Sequence, residues 1–74
     1  MIKKDIKLLK ELGLKIKVER TKKGLSQEKL AELASLSRPT IGLIERGESE
    51  PSIVKVAQIA DALGIKLCDL LDFG

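Results

Sequence analysis

Apolar residues recur along this chain at helical spacing, in successive segments divided by polar caps, prolines and glycines. In the first, Met1 to Lys23, positions Ile2, Ile6, Leu9, Gly13, Ile16 and Arg20 fall three or four apart and share one face. Lys22, Lys23 and Gly24 supply the cations and the C-cap that suit the end of a helix. A glycine inside a helix costs about 1 kcal/mol, so Gly13 is the expected break. Residues 1–11 are then either an extension of the first helix or a separate arm. Leu14 and Val18 sit opposite the apolar stripe, among lysines. They read either as isolated surface residues or as a contact with a partner chain or another element.

The stretch from Ser26 to Gly47, SQEKLAELASLSRPTIGLIERG, reads as two short helices joined by a tight turn. Ser26 is the N-cap of the earlier one, whose apolar residues are Leu30, Ala31, Leu33 and Ala34. Ser37 caps the later one, and Pro39 stands in its first turn, where a missing N–H is harmless. Ile41 and Ile44 face inward and Gly47 marks the stop. Leu25 before the first cap can meet Leu30, and Leu36 before the second can meet Ile41, as hydrophobic staples. Helices joined by about three residues cross steeply, and Ala31 is the small residue their crossing demands.

Beyond the polar loop Glu48-Ser49-Glu50-Pro51, Ser52 caps a fourth helix. Its expected inner face is Ile53, Val56, Ala57, Ile59, Ala60 and Leu63, and Gly64 ends it. Ile65 to Phe73 predicts a short fifth helix whose start, at Lys66, lacks a good cap.

The motifs Leu25-Ser26-Gln27-Glu28-x-Leu30-Ala31, Leu36-Ser37-Arg38-x-Thr40-Ile41 and Ile44-Glu45-Arg46-Gly47, all in register, resemble the helix-turn-helix of the Cro and phage-repressor type, the Xre family. The resemblance extends from roughly Leu12 to Leu71. It implies an all-α, compact five-helix, lambda-repressor-like domain over residues 1–74, with the helix-turn-helix at residues 26–47. The function it implies is that of a sequence-specific regulator of transcription on double-stranded DNA, bound as a two-fold homodimer to a palindromic operator. Residues 37–46 would be the recognition helix in the major groove. Its outward set, Arg38, Pro39, Thr40, Gly42 and Leu43, would face the bases, with Arg38 suited to guanine O6 and N7. Lys17, Gln27, Ser37 and Arg46 would meet phosphates, Gln27 assisted by the positive end of its helix dipole.

Arg20 lies on the inward stripe, where an unpaired charge is costly. In the family an arginine here pairs with the glutamate near the end of the recognition helix, which is Glu45 in this chain. The resemblance also leaves departures. Pro39, Gly42 and Leu43 give little polar readout, Ser35 occupies a turn position where relatives often carry glycine, and Glu48 and Glu50 make the next loop acidic. Leu67, Leu70, Leu71 and Phe73 are either the dimer interface or the closure of the monomer's own core.

Composition sharpens this. The 74 residues carry a formal net charge of +3, but residues 1–25 hold nine Lys or Arg against three acids and the rest five against eight. That asymmetry fits a phosphate-facing end, or a lysine-rich surface kept for solubility. With Phe73 as the single aromatic, stacking of unpaired bases on aromatic rings is unavailable. The single Cys68 excludes an internal disulfide, and the absence of His removes a zinc site and His-based catalysis. No metal, cofactor or enzymatic activity is expected. There is no secretory signal and no apolar run able to span a membrane, so a reduced, cytoplasmic protein is the expectation. The alternative function is a protein-interaction module, antitoxin-like, that keeps the fold with weakened base readout. Pro39, Gly42 and Leu43 are its motive, since an apolar exposed helix suits a partner's groove.

Overall fold

Five helices follow one another: α1 (Lys3–Lys22), α2 (Gln27–Ala34), α3 (Arg38–Glu45), α4 (Ile53–Leu63) and α5 (Leu67–Leu70). The computed structural model describes residues 3–72, with side chains from residue 5 onward; Ile2 and Phe73 lie outside them. α2 packs on both α3 and α4, α1 lies across α3, and α5 closes the end formed by α1 and α4. The core between them is wholly aliphatic. Ile16, Leu30, Ile41, Ile59, Leu63 and Leu70 are its largest fully buried side chains, and burying each is worth about 1.5–3 kcal/mol.

Local chemistry sets the helix limits. Ser26, Ser37 and Ser52 each accept a hydrogen bond from the backbone N–H three residues on, at 3.0, 3.2 and 3.2 Å, satisfying a donor that the first turn would otherwise leave unpaired. Lys66 makes no such side-chain bond, and the helix after it lasts four residues. It is therefore shorter than the span 65–73 expected from the leucine pattern. At the other end of α2, Ser35 takes a left-handed conformation, φ 59° and ψ 39°. The Leu36 N–H reaches back to the Ala31 carbonyl at 2.8 Å and the Ser35 N–H to that of Glu32 at 3.2 Å. This is a Schellman closure, the geometry that glycine provides after α1, α3 and α4.

The expected break at Gly13 is absent: α1 runs through it without interruption, so residues 3–11 extend the first helix and form no separate arm. A methyl group at Gly13 would strike the Ile44 carbonyl oxygen and stand 2.5 Å from that of Glu45. The residue is small because the backbone of α3 passes directly over it. Local propensity favours a break here, but the close approach of two helices outweighs it.

The inward stripes also need correction at their ends. Leu12, outside the expected stripe, is buried, whereas Ile6 and Leu33 are exposed. Ile53, expected on the inner face of α4, is 60% exposed, and its neighbour Val54 is 65% exposed. The first turn of α4 extends past the helices that cover Val56 and Ile59. Leu70 is fully buried and Leu67 packs against the core, so these two close the monomer and are withdrawn as interface candidates. Leu71 stays on the surface at 40% exposure. Among the described residues no helix is long and apolar enough to cross a membrane, and no cluster of metal-ligating side chains occurs.

Gly13→Ala discriminates propensity from close approach. Helix propensity alone would raise stability by about 1 kcal/mol. The collision with the α3 backbone predicts a loss of about 1–3 kcal/mol or more, which for a domain this size lowers the melting temperature by roughly 5–20 °C. A thermal melt of the variant reads the sign; an unchanged or higher midpoint contradicts the packing described.

Candidate nucleic-acid interface

The helix-turn-helix is held by one buried carboxylate. Glu45, the last residue of α3, is 9% exposed and is the buried charged residue among those described. Arg20 of α1 grips it with two parallel bonds, Nε to Oε2 at 2.7 Å and Nη2 to Oε1 at 3.1 Å. The remaining guanidinium branch, Nη1, donates to the Leu25 carbonyl at 2.7 Å, in the connection between α1 and α2. Gln27, the first residue of α2, donates its amide to Glu45 Oε1 at 3.0 Å. Donors from two helices therefore converge on the end of a third. No buried side-chain polar atom among the described residues is left without a partner, which a charge in an aliphatic interior requires. A bidentate guanidinium–carboxylate pair also fixes orientation as well as separation.

Sequence reasoning placed Arg20 opposite Glu45 by resemblance but missed the other two partners. Nothing local announces them: Gln27 and Glu45 are 18 residues apart in sequence, and the Leu25 acceptor is a backbone group.

On α3 the side chains of Arg38, Pro39 and Leu43 are exposed and Thr40 is half-buried. Ser37 is doubly engaged at the start of the helix. It accepts from the Thr40 N–H, and its Oγ lies 2.7 Å from Thr40 Oγ1. Gly42 does not belong to the outward set. It is buried, and a methyl group there would lie 3.1 Å from Arg46 Nη1 and 4.0 Å from Gln27 Oε1. Gly42 is thus corrected from a base-facing position to the seat on which the Arg46 side chain folds back along α3. Arg46 itself is exposed, and its Nε donates to Glu48 Oε1 at 3.1 Å. The Arg-x-Glu spacing was the available signal for that pair.

Gln27, Gly42, Glu45 and Arg46 are thereby brought together around the junction of α2 and α3. Lys17 is exposed on α1, three residues before Arg20, and has no ion-pair partner among the described residues. Two residues further along α1, a hydrogen bond from Lys22 holds the Glu19 carboxyl below the ordinary carboxylate range. Burial is the next largest influence and opposes it, while the charges of Lys22 and Lys15 add to the lowering. Glu19 is therefore ionised at neutral pH and balances part of the lysine charge on α1.

Arg20→Ala leaves Glu45 buried with only the Gln27 amide beside it. Breaking a buried pair from one side costs about 3–5 kcal/mol, a large share of the stability of a small domain. Thermal melting and amide-proton dispersion should show a severely destabilised chain; a wild-type midpoint would contradict the clamp.

A helix-turn-helix family model, HTH_3, matches residues 16–70. The chain is 41% identical over 70 residues to the control protein C.BamHI of Bacillus amyloliquefaciens, a match covering 93% of this chain and 84% of that protein. It is also 41% identical over 56 residues to the immunity repressor protein of Bacillus phage phi105, covering 76% of this chain and 39% of the repressor. Among solved structures, the restriction-modification controller protein C.AhdI from Aeromonas hydrophila superposes with a TM-score of 0.83 at 42% identity, over 84% of this chain and 94% of that one. Sequence motifs, five-helix architecture and these relatives agree, and the chain belongs to the HTH_3 helix-turn-helix family of Xre and phage-repressor type.

Proposed function

We infer that this protein is a DNA-binding regulator of transcription, and we propose that it reads the major groove with α3. The observation that carries the reading is the fixed presentation of α3. Its inner side and C-terminal end are locked by Ile41, Ile44 and Glu45, while Arg38, Pro39, Thr40 and Leu43 remain available outside. Arg38 is the base reader in this proposal, offering two donors to a guanine edge, and Leu43 suits a thymine methyl. Gln27 at the positive end of α2, Ser37 at that of α3, Arg46 and Lys17 position the duplex through its phosphates. Gly42 contributes room for Arg46 in place of a contact. With so few polar side chains outward, sequence preference draws also on DNA shape.

The finer role we propose is that of a controller working as a two-fold dimer in the cytoplasm, with residues 1–74 acting as one recognition domain. Support comes from the similarity to the control protein C.BamHI over 93% of the chain and to the controller C.AhdI over 84%. Exposed Ile53 and Val54, adjacent at the start of α4, and Leu71 after α5 replace Leu67 and Leu70 as the apolar surface offered to a second copy.

The test is a titration against DNA from the protein's own promoter, with an unrelated duplex as control, at several salt concentrations. Specific binding should exceed the control by about 10³ or more and fall steeply with salt. Arg38→Ala should cost about 1–3 kcal/mol and relax discrimination at one base pair. Lys17→Ala or Arg46→Ala should weaken both duplexes alike and flatten the salt response. Equal affinity for both duplexes at every salt concentration contradicts the reading.

A further inference from the structure

The outer face of α1 is occupied by neither the core nor the proposed DNA contacts at its centre. Ile6, Leu14 and Val18 are 39%, 60% and 41% exposed. Leu14 and Val18 lie away from the side of α1 that buries Leu12, Gly13 and Ile16, whereas Ile6 stands on the Gly13 flank of the helix, exposed ahead of the buried stretch. Leu14 lines three adjoining shallow depressions along the helix, the first shared with Ile6 and the other two with Val18. At 1.5 Å per residue, the strip from Ile6 to Val18 is about 18 Å long, three turns of a helix. Lys7, Lys10, Lys15, Lys17 and Lys22 border these depressions, with Glu11 as the acid in their lining. Lys7 pairs with Glu11, and Lys15 and Lys22 with Glu19, so the border keeps an excess of three positive charges.

The geometry points to a docking site for an amphipathic helix of another protein, with leucine-like residues on one face and Asp or Glu along both edges. Apolar anchors at i, i+4 and i+7 would lie along the strip, and the flanking acids would meet the lysine borders. A second copy of the chain is the poorer occupant, because two faces each carrying the same excess of positive charge repel one another. A bilayer is poorer still: an interfacial helix buries a broad apolar face, whereas the exposed apolar residues of α1, Ile6, Leu8, Leu14 and Val18, have Lys7, Lys10 and Glu11 set among them on the same side of the helix. Phosphates gain nothing from the apolar centre. This inference stands independently of what α3 reads.

The probe is a synthetic helical peptide of about 16 residues with leucines at i, i+4 and i+7 and glutamates on both flanks. It is titrated into the 15N-labelled protein alongside a control in which lysine replaces every glutamate. The expected result is a set of saturable amide shifts confined to α1 from Ile6 to Lys22, with the control about tenfold weaker or silent. The double variant Leu14→Gln, Val18→Gln should lose about tenfold or more in peptide affinity, with its melting temperature and DNA binding unchanged. Absent shifts, shifts on α3, or equal binding of both peptides overturn the proposal. So does a change in sedimentation of the double variant, which would assign the face to a second copy. Binding to vesicles of phosphatidylglycerol and phosphatidylcholine that this variant abolishes would assign it to a membrane.

Discussion

A carboxylate in an aliphatic interior must be fully partnered, and that requirement at Glu45 organises this molecule. The acid sits at the end of the recognition helix, yet the groups that satisfy it come from elsewhere: Arg20 from α1 and Gln27 from the start of α2. Arg20 in turn fixes the chain between those helices through the Leu25 carbonyl. Each bond would be modest alone in water, but the network as a whole specifies one arrangement, because any other leaves a buried charge unpaired.

The same end of α3 is constrained a second time by the backbone. Gly13 lets α1 approach the carbonyls of Ile44 and Glu45 more closely than any larger residue permits. Ion pair and close approach act at one point from two sides, so α3 can neither slide along α1 nor turn about its own axis without breaking both. What α3 presents outward follows from this. Arg38, Pro39 and Leu43 are exposed because Ile41, Ile44 and Glu45 are held in, and Arg46 lies along the helix because Gly42 leaves space beneath it.

The elements most legible in the sequence were those governed by local chemistry. Ser26, Ser37 and Ser52 as caps, Gly47 and Gly64 as stops, and Ile16, Leu30, Ile41, Ile59 and Leu63 as core follow from cap preference and helical spacing. Whatever depended on a distant neighbour was harder to see. Gly13 looked like a break because its local cost is visible and the helix passing over it is not. Ile53 fits the periodicity of α4, but periodicity cannot tell how far along a helix its cover extends. Gly42 lies beside outward-facing positions, yet it is shielded by a side chain four residues on. Leu70 looked equally fit for an interface or a core, since a leucine in a short terminal helix reads the same in both. In the candidate site, the Arg20–Glu45 pairing came by resemblance, whereas the Gln27 bond to Glu45 had no sequence signal.

The central claim is that the network at Glu45 sets the geometry with which DNA is met, beyond whatever stability it lends. The double variant Arg20→Met, Glu45→Leu separates the two effects. A buried ion pair replaced on both sides by apolar residues of similar volume is often neutral or stabilising, while the orientation imposed by the bidentate pair and the anchor of Gln27 are both removed. Its affinity for the promoter duplex, measured at one salt concentration beside its melting temperature, is the decisive quantity. The midpoint should stay near that of the unaltered protein, with affinity reduced about tenfold or more, roughly 1.4 kcal/mol. A stable double variant that binds the duplex as tightly as the original would contradict the claim.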